Sequence, residues 1–390
     1  MLLPIMAFVF VAYLVVGLAM PVVPLYVHDD LGLSTFVVGL VAGSPFAAAL
    51  LSRLGAGRFT DRRGAKRSVT VGLLAAAAGG ACFLLSLAAF PSTAVSVVLL
   101  MAGRALLGVA DSFTITGALS WGLALLGTQK TGIVMAWVGT AIYIAFAIGA
   151  PLGSVLYARD GFLAIALATI AVPLVALVLL ARLPVVSIAS PHSRPVSLAR
   201  VARAVWQPGL AVALGGVGFG AITAFIALLF VERGWTPVWL AFSLLSAAFI
   251  IGRLLFGGLA DTVGGAKVAF VCVLIEAVGL ALIWRAASMP VALAGVMLGG
   301  FGYSLMYPAL GSEALRRTPA HERGITMGAY TAFLDLSLGI SGPLLGRIAA
   351  SGLQSVYAAS ALLALAAAVV TLVMRRNVGD DGIEPPTFSV

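Results

Sequence analysis

The sequence predicts an all-α protein of the membrane, built from two similar halves, and three observations carry that prediction. Of its 390 residues, 62% are hydrophobic and 9% are charged, at a mean hydropathy of +1.13. A soluble domain carries about 25% charged residues, so nearly all of this chain must face lipid or other helices. Apolar runs of bilayer-crossing length, about 20 residues as a helix, follow one another along the chain. Finally, a short hydrophilic hairpin occurs twice in register. Its first copy is Gly57-Arg58-Phe59-Thr60-Asp61-Arg62-Arg63-Gly64-Ala65-Lys66-Arg67. Its second, 200 residues on, is Gly257-Gly258-Leu259-Ala260-Asp261-Thr262-Val263-Gly264-Gly265-Ala266-Lys267. Arg53 and Arg253 keep the same offset. A repeat at fixed offset constrains the architecture before any local reading does.

The elements follow in order. The first run, from Pro4 to Val27, is too long for the apolar core of a secretory leader, about 7–15 residues, and reads as a span. Spans are expected at 4–27, 35–56, 69–90, 93–123, 132–156 and 161–181. The second and third flank the first hairpin, the fourth carries Arg104 and Asp111, and the fifth carries Gly139, Gly149, Pro151 and Gly153. Residues 182–207, with Pro184, Pro191, Pro195, Arg194, Arg200 and Arg203, read as a polar linker. A second set of spans is expected at 208–230, 237–256, 268–285, 290–312, 325–348 and 355–374. The second hairpin falls between the eighth and ninth spans, Glu276 within the ninth, and Asp335, Gly339, Gly342, Pro343 and Gly346 within the eleventh. The tail, 377–390, carries Asp380, Asp381 and Glu384 and is expected to be disordered. The chain thus divides into 1–181, a linker 182–207, 208–376 and a tail. Two similar halves in one membrane chain are the plan of a two-fold transporter.

Charge sets the expected orientation. The loops grouped with both termini, with Arg53 and Arg253 counted among them, hold 18 of the 23 Lys and Arg residues. The opposite side holds Arg159, Arg233, Arg285 and Arg347, and Arg104 is left inside a span. Basic residues collect in cytoplasmic loops, so both termini, the linker and both hairpins are expected in the cytoplasm. The net charge of +9 therefore does not point to nucleic acid. Cys82 and Cys272 lie in apolar runs and read as small packing residues rather than a disulfide. His28, His192 and His321 fall in loops without metal-ligand spacing. No Walker A sequence supports ATP binding and no GxSxG stands on an aqueous domain, so neither an enzyme nor a cofactor is expected.

Twelve spans, a central linker and the hairpin after span two, with Gly57, Asp61, Arg62, Gly64, Lys66 and Arg67 in place, resemble the major facilitator superfamily. The second copy keeps Gly257, Asp261, Gly264 and Lys267 but has Thr262 where an Arg would stand. Four stretches are similar to a subgroup of bacterial inner-membrane proteins of sugar-efflux or drug-efflux type. They are Tyr26-Val27-His28-Asp29, Gly103-Arg104-Ala105-Leu106-Leu107-Gly108, Gly149-Ala150-Pro151-Leu152-Gly153 and Asp335-Leu336-Ser337-Leu338-Gly339. The resemblance implies that Asp61, Arg62 and Lys66 latch the halves together on the cytoplasmic side when the cavity opens outward. It implies a cavity lined by spans one, four, seven and ten, with Tyr13, Ser112, Thr114, Thr116, Trp121, Phe219, Thr223, Tyr303 and Tyr307, joined by Trp137 and Tyr143 from span five. The Gly149-Pro151-Gly153 stretch resembles an antiporter motif, with Ser154 departing from it, and this favours export.

The residues also carry a reading of their own. A charge at the bilayer centre costs at least about 2.5–3.5 kcal/mol, so Arg104, Glu276 and Asp335 must be paired, hydrated or neutralised. A carboxylic acid that moves between wet and dry surroundings can hold a proton in one state and release it in another. Asp335 is the leading candidate for that role, with Arg104 as its electrostatic regulator; the plainer reading makes both structural. Asp111, a further proton-coupling candidate, lies two turns from Arg104, about 10 Å, too far for a direct bond, and is either linked to it by water or placed near the cytoplasmic mouth. Glu276 is either a second titrating site or a carboxyl bonded to a neighbouring span. Glycine lets helices meet closely and proline bends them, the roles expected of Gly149, Pro151, Gly153, Gly342, Pro343 and Gly346. The expected protein is a monomeric, proton-coupled exporter of a small organic solute, sugar-like or drug-like, working by alternating access in a bacterial inner membrane. The alternatives are a uniporter or importer without proton coupling, and a solute sensor that does not transport.

Overall fold

The computed structural model describes residues 3–89, 92–127, 131–182, 197–319 and 322–380, leaving aside the side chains of 131–133, 261 and 376–380. Among the described residues all regular structure is helical. The helices are α1 (Leu3–Ala19), α2 (Val22–Leu25), which continues into a π turn at Tyr26–Asp30, α3 (Thr35–Arg63), α4 (Ala65–Ala88), α5 (Thr93–Leu126), α6 (Thr131–Ala181), α7 (Leu198–Glu232), α8 (Trp239–Phe256), α9 (Leu259–Val263), α10 (Gly265–Trp284), α11 (Met289–Arg316), α12 (Arg323–Ala349) and α13 (Leu353–Asp380).

Among the described residues, eleven helices are long and apolar enough to cross a membrane. One of them, α6, has 51 residues. At about 1.5 Å per residue it would run ~76 Å if straight, more than twice the ~30 Å hydrocarbon core. It is not straight, because Gly161 breaks it at φ 67°, ψ −164°. The expected fifth and sixth spans are the two arms on either side of that glycine, which is why eleven helices supply what the hydropathy pattern reads as twelve spans.

Several boundaries differ from the sequence expectation, among them the end of α3, which runs to Arg63 rather than 56. Residues 198–207, assigned to the linker from their charge, form the first turns of α7. Val201, Ala204 and Val205 recur at helical spacing and are buried there, and the Ser197 hydroxyl accepts the Arg200 N–H at 3.4 Å to cap the start. At the other end α13 runs to Asp380. The remainder of the linker, 183–196, and the tail from 381 lie outside the described residues.

The repeat extends to the backbone. Gly64 (φ 90°, ψ 158°) joins α3 to α4, and Gly264 (φ 98°, ψ 134°) joins α9 to α10. Each donates its N–H four residues back, to Thr60 and Ala260, and each accepts an N–H four residues on, from Ser68 and Val268. A positive φ of this kind is open to glycine at little cost.

Helices α1–α6 pack on one another, α7–α13 pack on one another, and the two groups meet chiefly through α3 against α12 and α6 against α8. The first seam is built from small residues. A Cβ on Gly342 would collide with the Gly39 carbonyl oxygen, and one on Gly43 would stand 2.6 Å from that of Gly339. At its end the Thr35 hydroxyl donates to the Gly346 carbonyl at 2.7 Å. The second seam uses a proline. Pro151 has no N–H to offer the Ala147 carbonyl four residues back, and Ser243 of α8 donates its hydroxyl to that oxygen at 2.9 Å instead. Gly149 and Gly153 of the same stretch pack on α1, each within 3 Å of its backbone were a Cβ present.

Candidate functional site

The hydrophobic core is interrupted where α3, α5 and α12 converge. Arg53, on α3, ion-pairs with Asp335, on α12, at 2.6 Å from Nη2, and its Nε donates to the same carboxylate oxygen at 2.9 Å. The Asp111 carboxylate, on α5, stands 3.9 Å from the same Nη2. The side chain of Asp335 is 7% exposed, that of Arg53 21% and that of Asp111 27%. Burying a charge is tolerable when it is paired and hydrogen-bonded, and each of these three has an opposite partner within reach. Neighbouring hydroxyls fix the geometry: Ser52 donates to Ser112 at 3.0 Å, and Ser112 donates to the Ala49 carbonyl at 3.1 Å. The residues next to Arg53 and Asp111 thereby hold α3 against α5.

Arg53 and Arg253 are residues that the charge tally misplaced. Arg53 lies within α3, which runs on to Arg63, and Arg253 lies within α8. Both fall inside the expected spans 35–56 and 237–256 and were nonetheless counted with the basic loops beside them; the helices themselves end only at Gly64 and Gly257. The repeat had already marked the pair through its offset of 200. Asp335 is held by Arg53 and not by Arg104. The Arg104 Nε is buried without a hydrogen bond, and Arg104 forms no ion pair among the described residues.

Arg253 has different company. Its guanidinium lies 5.0 Å from the centre of the Tyr143 ring, on α6. Its Nη1 fills the space beside Gly139, where a Cβ would stand. Its Nε is buried without a hydrogen bond, and no carboxylate pairs with it among the described residues. Around it the structure gathers rings. Tyr143 stacks on Phe249 at 4.3 Å, Phe219 stacks on Tyr303 at 5.0 Å, and Phe249 bridges the two pairs at 5.9 and 5.4 Å. Tyr143, Phe219 and Tyr303 are sequence candidates; Phe249 and Arg253 are not, and Phe249 had no polar atom to single it out. Tyr307 sits further along α11, its hydroxyl 2.8 Å from that of Thr331, within electrostatic reach of Arg53, Asp335 and Tyr143. Tyr13 meets Phe146 edge-on at 5.6 Å. Trp137 is exposed, and neither it nor Thr116 makes a ring contact or hydrogen bond with this cluster among the described residues.

Glu276 stands apart from the charged seam. It is 1% exposed on α10, packed against Gly215 and Gly218 of α7, with Gly302 of α11 beside its backbone. Its Oε2 has no hydrogen-bond partner among the described residues. The hairpin residues lie on the surface: Asp61, Arg62, Arg67 and Lys267 are exposed, and Asp61 forms no ion pair among the described residues. Lys66 donates to the Ala181 carbonyl, on α6, at 3.1 Å. The side chain of Asp261 lies outside the described residues. A hollow of about 440 Å³ opens beside Ser34, Thr35, Phe36, Gly346 and Arg347, at the far end of the α3–α12 seam from the hairpins.

Two packed groups of membrane-length helices, meeting at a seam with an ion pair in it, are the architecture of a polytopic membrane protein. A sequence model of the Major Facilitator Superfamily matches residues 5–275 and again 239–388, and the chain belongs to that superfamily. It is 41% identical over 374 residues to the uncharacterised MFS-type transporter STM4428 of Salmonella typhimurium, covering 95% of this chain and 96% of the relative. It is 38% identical over 374 residues to the uncharacterised MFS-type transporter YhhS of Escherichia coli K12, covering 96% and 92%. Among solved structures, a bacterial homologue of the human lysosomal transporter Spinster, in an inward-facing and occupied conformation, matches with a TM-score of 0.76 at 14% identity, covering 98% of both chains. That likeness concerns the fold.

Proposed function

We propose that this transporter is a proton-coupled exporter of a small organic solute, with Asp335 as the proton carrier and Arg53 as the counter-ion that reports its state. The observation that carries the reading is the ion pair from Arg53 to Asp335, which ties the first helix group to the second. Such a pair must break whenever α3 and α12 part. Protonation of Asp335 removes its charge, and Arg53 can then turn to Asp111, 3.9 Å away within its own group. The seam is thereby released at the cost of one proton, and deprotonation restores it. Alternating access is the rocking of one helix group against the other.

The direction rests on lesser support. The Gly149–Gly153 stretch resembles an antiporter motif, and its Pro151 frees the carbonyl that α8 takes up through Ser243. The excess of basic residues on the side of the termini supports a cytoplasmic placement of both ends and both hairpins in a bacterial inner membrane. The contacts between groups run from Thr35–Gly346 to Arg53–Asp335, while Asp61 is exposed. This fits a state open towards the hairpins, in which Asp61 of the latch is disengaged. The protein works as a monomer on solutes that are sugar-like or drug-like.

The test is flux in proteoliposomes holding only this protein, with and without a pH gradient. Wild type should show gradient-driven solute movement. Asp335→Asn should lose the dependence on the gradient while exchange at equal pH survives. Gradient-driven flux that persists in the variant would show that Asp335 carries no proton and only braces the seam.

A further inference from the structure

The two arginines of the repeat are matched in sequence and unmatched in charge. Arg53 has two carboxylates within reach, whereas Arg253 has a tyrosine ring, a glycine and a buried Nε that makes no hydrogen bond. A cation over a ring recovers part of what desolvation costs, but a guanidinium has five donors in a fork shaped for carboxylate or phosphate. Arg253 also lies at the seam, on α8 facing α6, and is half-buried rather than sealed. Beside it Phe249 and Tyr303, both buried, stack on Tyr143 and Phe219 in pairs. A ring-bearing ligand would exchange one stacking partner for another there.

We propose that Arg253 anchors an anionic group of the transported solute, and that the solute is an organic anion, a carboxylate or a phosphate monoester, whose flat apolar body lies among Tyr143, Phe249, Phe219 and Tyr303. This rests on the transporter reading above and narrows its substrate class. It does not depend on Asp335 carrying the proton. The anion supplies the charge that the second copy of the repeat lacks, as Asp335 does for the first.

The experiment is calorimetric titration of the purified full-length protein at fixed pH with four probes of one shape: 2-naphthoate, 2-naphthyl phosphate, 2-naphthamide and 2-naphthylmethylammonium. At least one of the two anions should bind at least about tenfold more tightly than the amide, since charge-assisted hydrogen bonds are the stronger kind, and the ammonium should bind weakest. Arg253→Gln should erase the preference for the anion over the amide, and Arg253→Lys should keep only part of it, because a lysine presents a point charge and not a fork. Whichever anion prevails separates a carboxylate from a phosphate solute. Equal binding of amide and anion, tighter binding of the ammonium, absence of binding by every probe, or an undiminished preference in Arg253→Gln would each overturn the proposal. Should Arg253→Gln fail to fold, an undiminished anion preference in Arg253→Lys would overturn it equally. Asp335→Asn is titrated alongside. An anion preference retained there while gradient-driven flux is lost supports both readings. A missing preference beside intact coupling removes only the substrate class, and a retained preference beside unchanged flux in Asp335→Asn removes only the proton role.

Discussion

Arg53 on α3 and Arg253 on α8 stand 200 residues apart at the same place in the repeat, and they teach different things about charge in a membrane. Arg53 joins the helix groups through a short, buried ion pair to Asp335. Arg253 joins them through a ring, with Ser243 three turns earlier on α8 supplying the hydrogen bond to Ala147. The first contact has an internal anion that can be switched off by a proton. The second has no internal anion among the described residues and leaves room for one from outside. One inherited arginine thus serves coupling in the first half, on this reading, and recognition in the second.

The comparison can be broken most severely at Arg53. Arg53→Gln leaves Asp335 buried with no cation beside it, and removing one member of a buried pair costs about 3–5 kcal/mol. The 21% exposure of the arginine puts the expected loss at the lower end of that range. Thermal unfolding in detergent should show it, and Arg53→Gln combined with Asp335→Asn should recover part of the loss. Additive losses in that cycle would mean that the two side chains do not sense each other.

A smaller effect is expected at the α6–α8 seam. Ser243→Ala strands the Ala147 carbonyl that Pro151 leaves free, at about 1 kcal/mol or slightly more. Pro151→Ala supplies a backbone N–H for that carbonyl, so Ser243→Ala should cost less in its presence. The same cost in both backgrounds would show that the hydroxyl is not needed for that oxygen.

A change in stability of similar size to that at Ser243 is expected at Arg253 itself. Arg253→Gln orphans no carboxylate and gives up one cation–ring contact, worth about 0.5–2 kcal/mol. Its thermal midpoint should therefore stay closer to wild type than that of Arg53→Gln. A larger fall than at Arg53 would place an internal anion beside Arg253 and end the contrast.

The two glycine–proline stretches show where reading the sequence stops. Both were legible as small residues around a proline inside a span. Yet Gly149 and Gly153 pack within their own group, on α1, while Gly339, Gly342 and Gly346 lie against α3 of the other group. Glycine states that something comes close; it does not state what. Arg53 was hidden for a related reason. Arg53 stood inside the expected span 35–56, yet it was grouped with its basic neighbours in the loop, although α3 continues to Arg63 and holds it part-buried against Asp335. Phe249 carried no signal at all, one apolar residue among many in an apolar span. The turns were the most legible part, because a glycine at positive φ ends a helix wherever it stands, as Gly64 and Gly264 do.

By itself the sequence determined that the chain is helical, that it lies in a membrane, that it repeats itself at an offset of 200 and that its charges inside spans are few. Those properties follow from composition and local backbone chemistry, which every residue carries with it. Which arginine meets which carboxylate was decided only when α3, α5 and α12 packed together, bringing side chains 282 residues apart to 2.9 Å. A pairing of that kind is a property of distance in space, and the linear order of residues does not contain it.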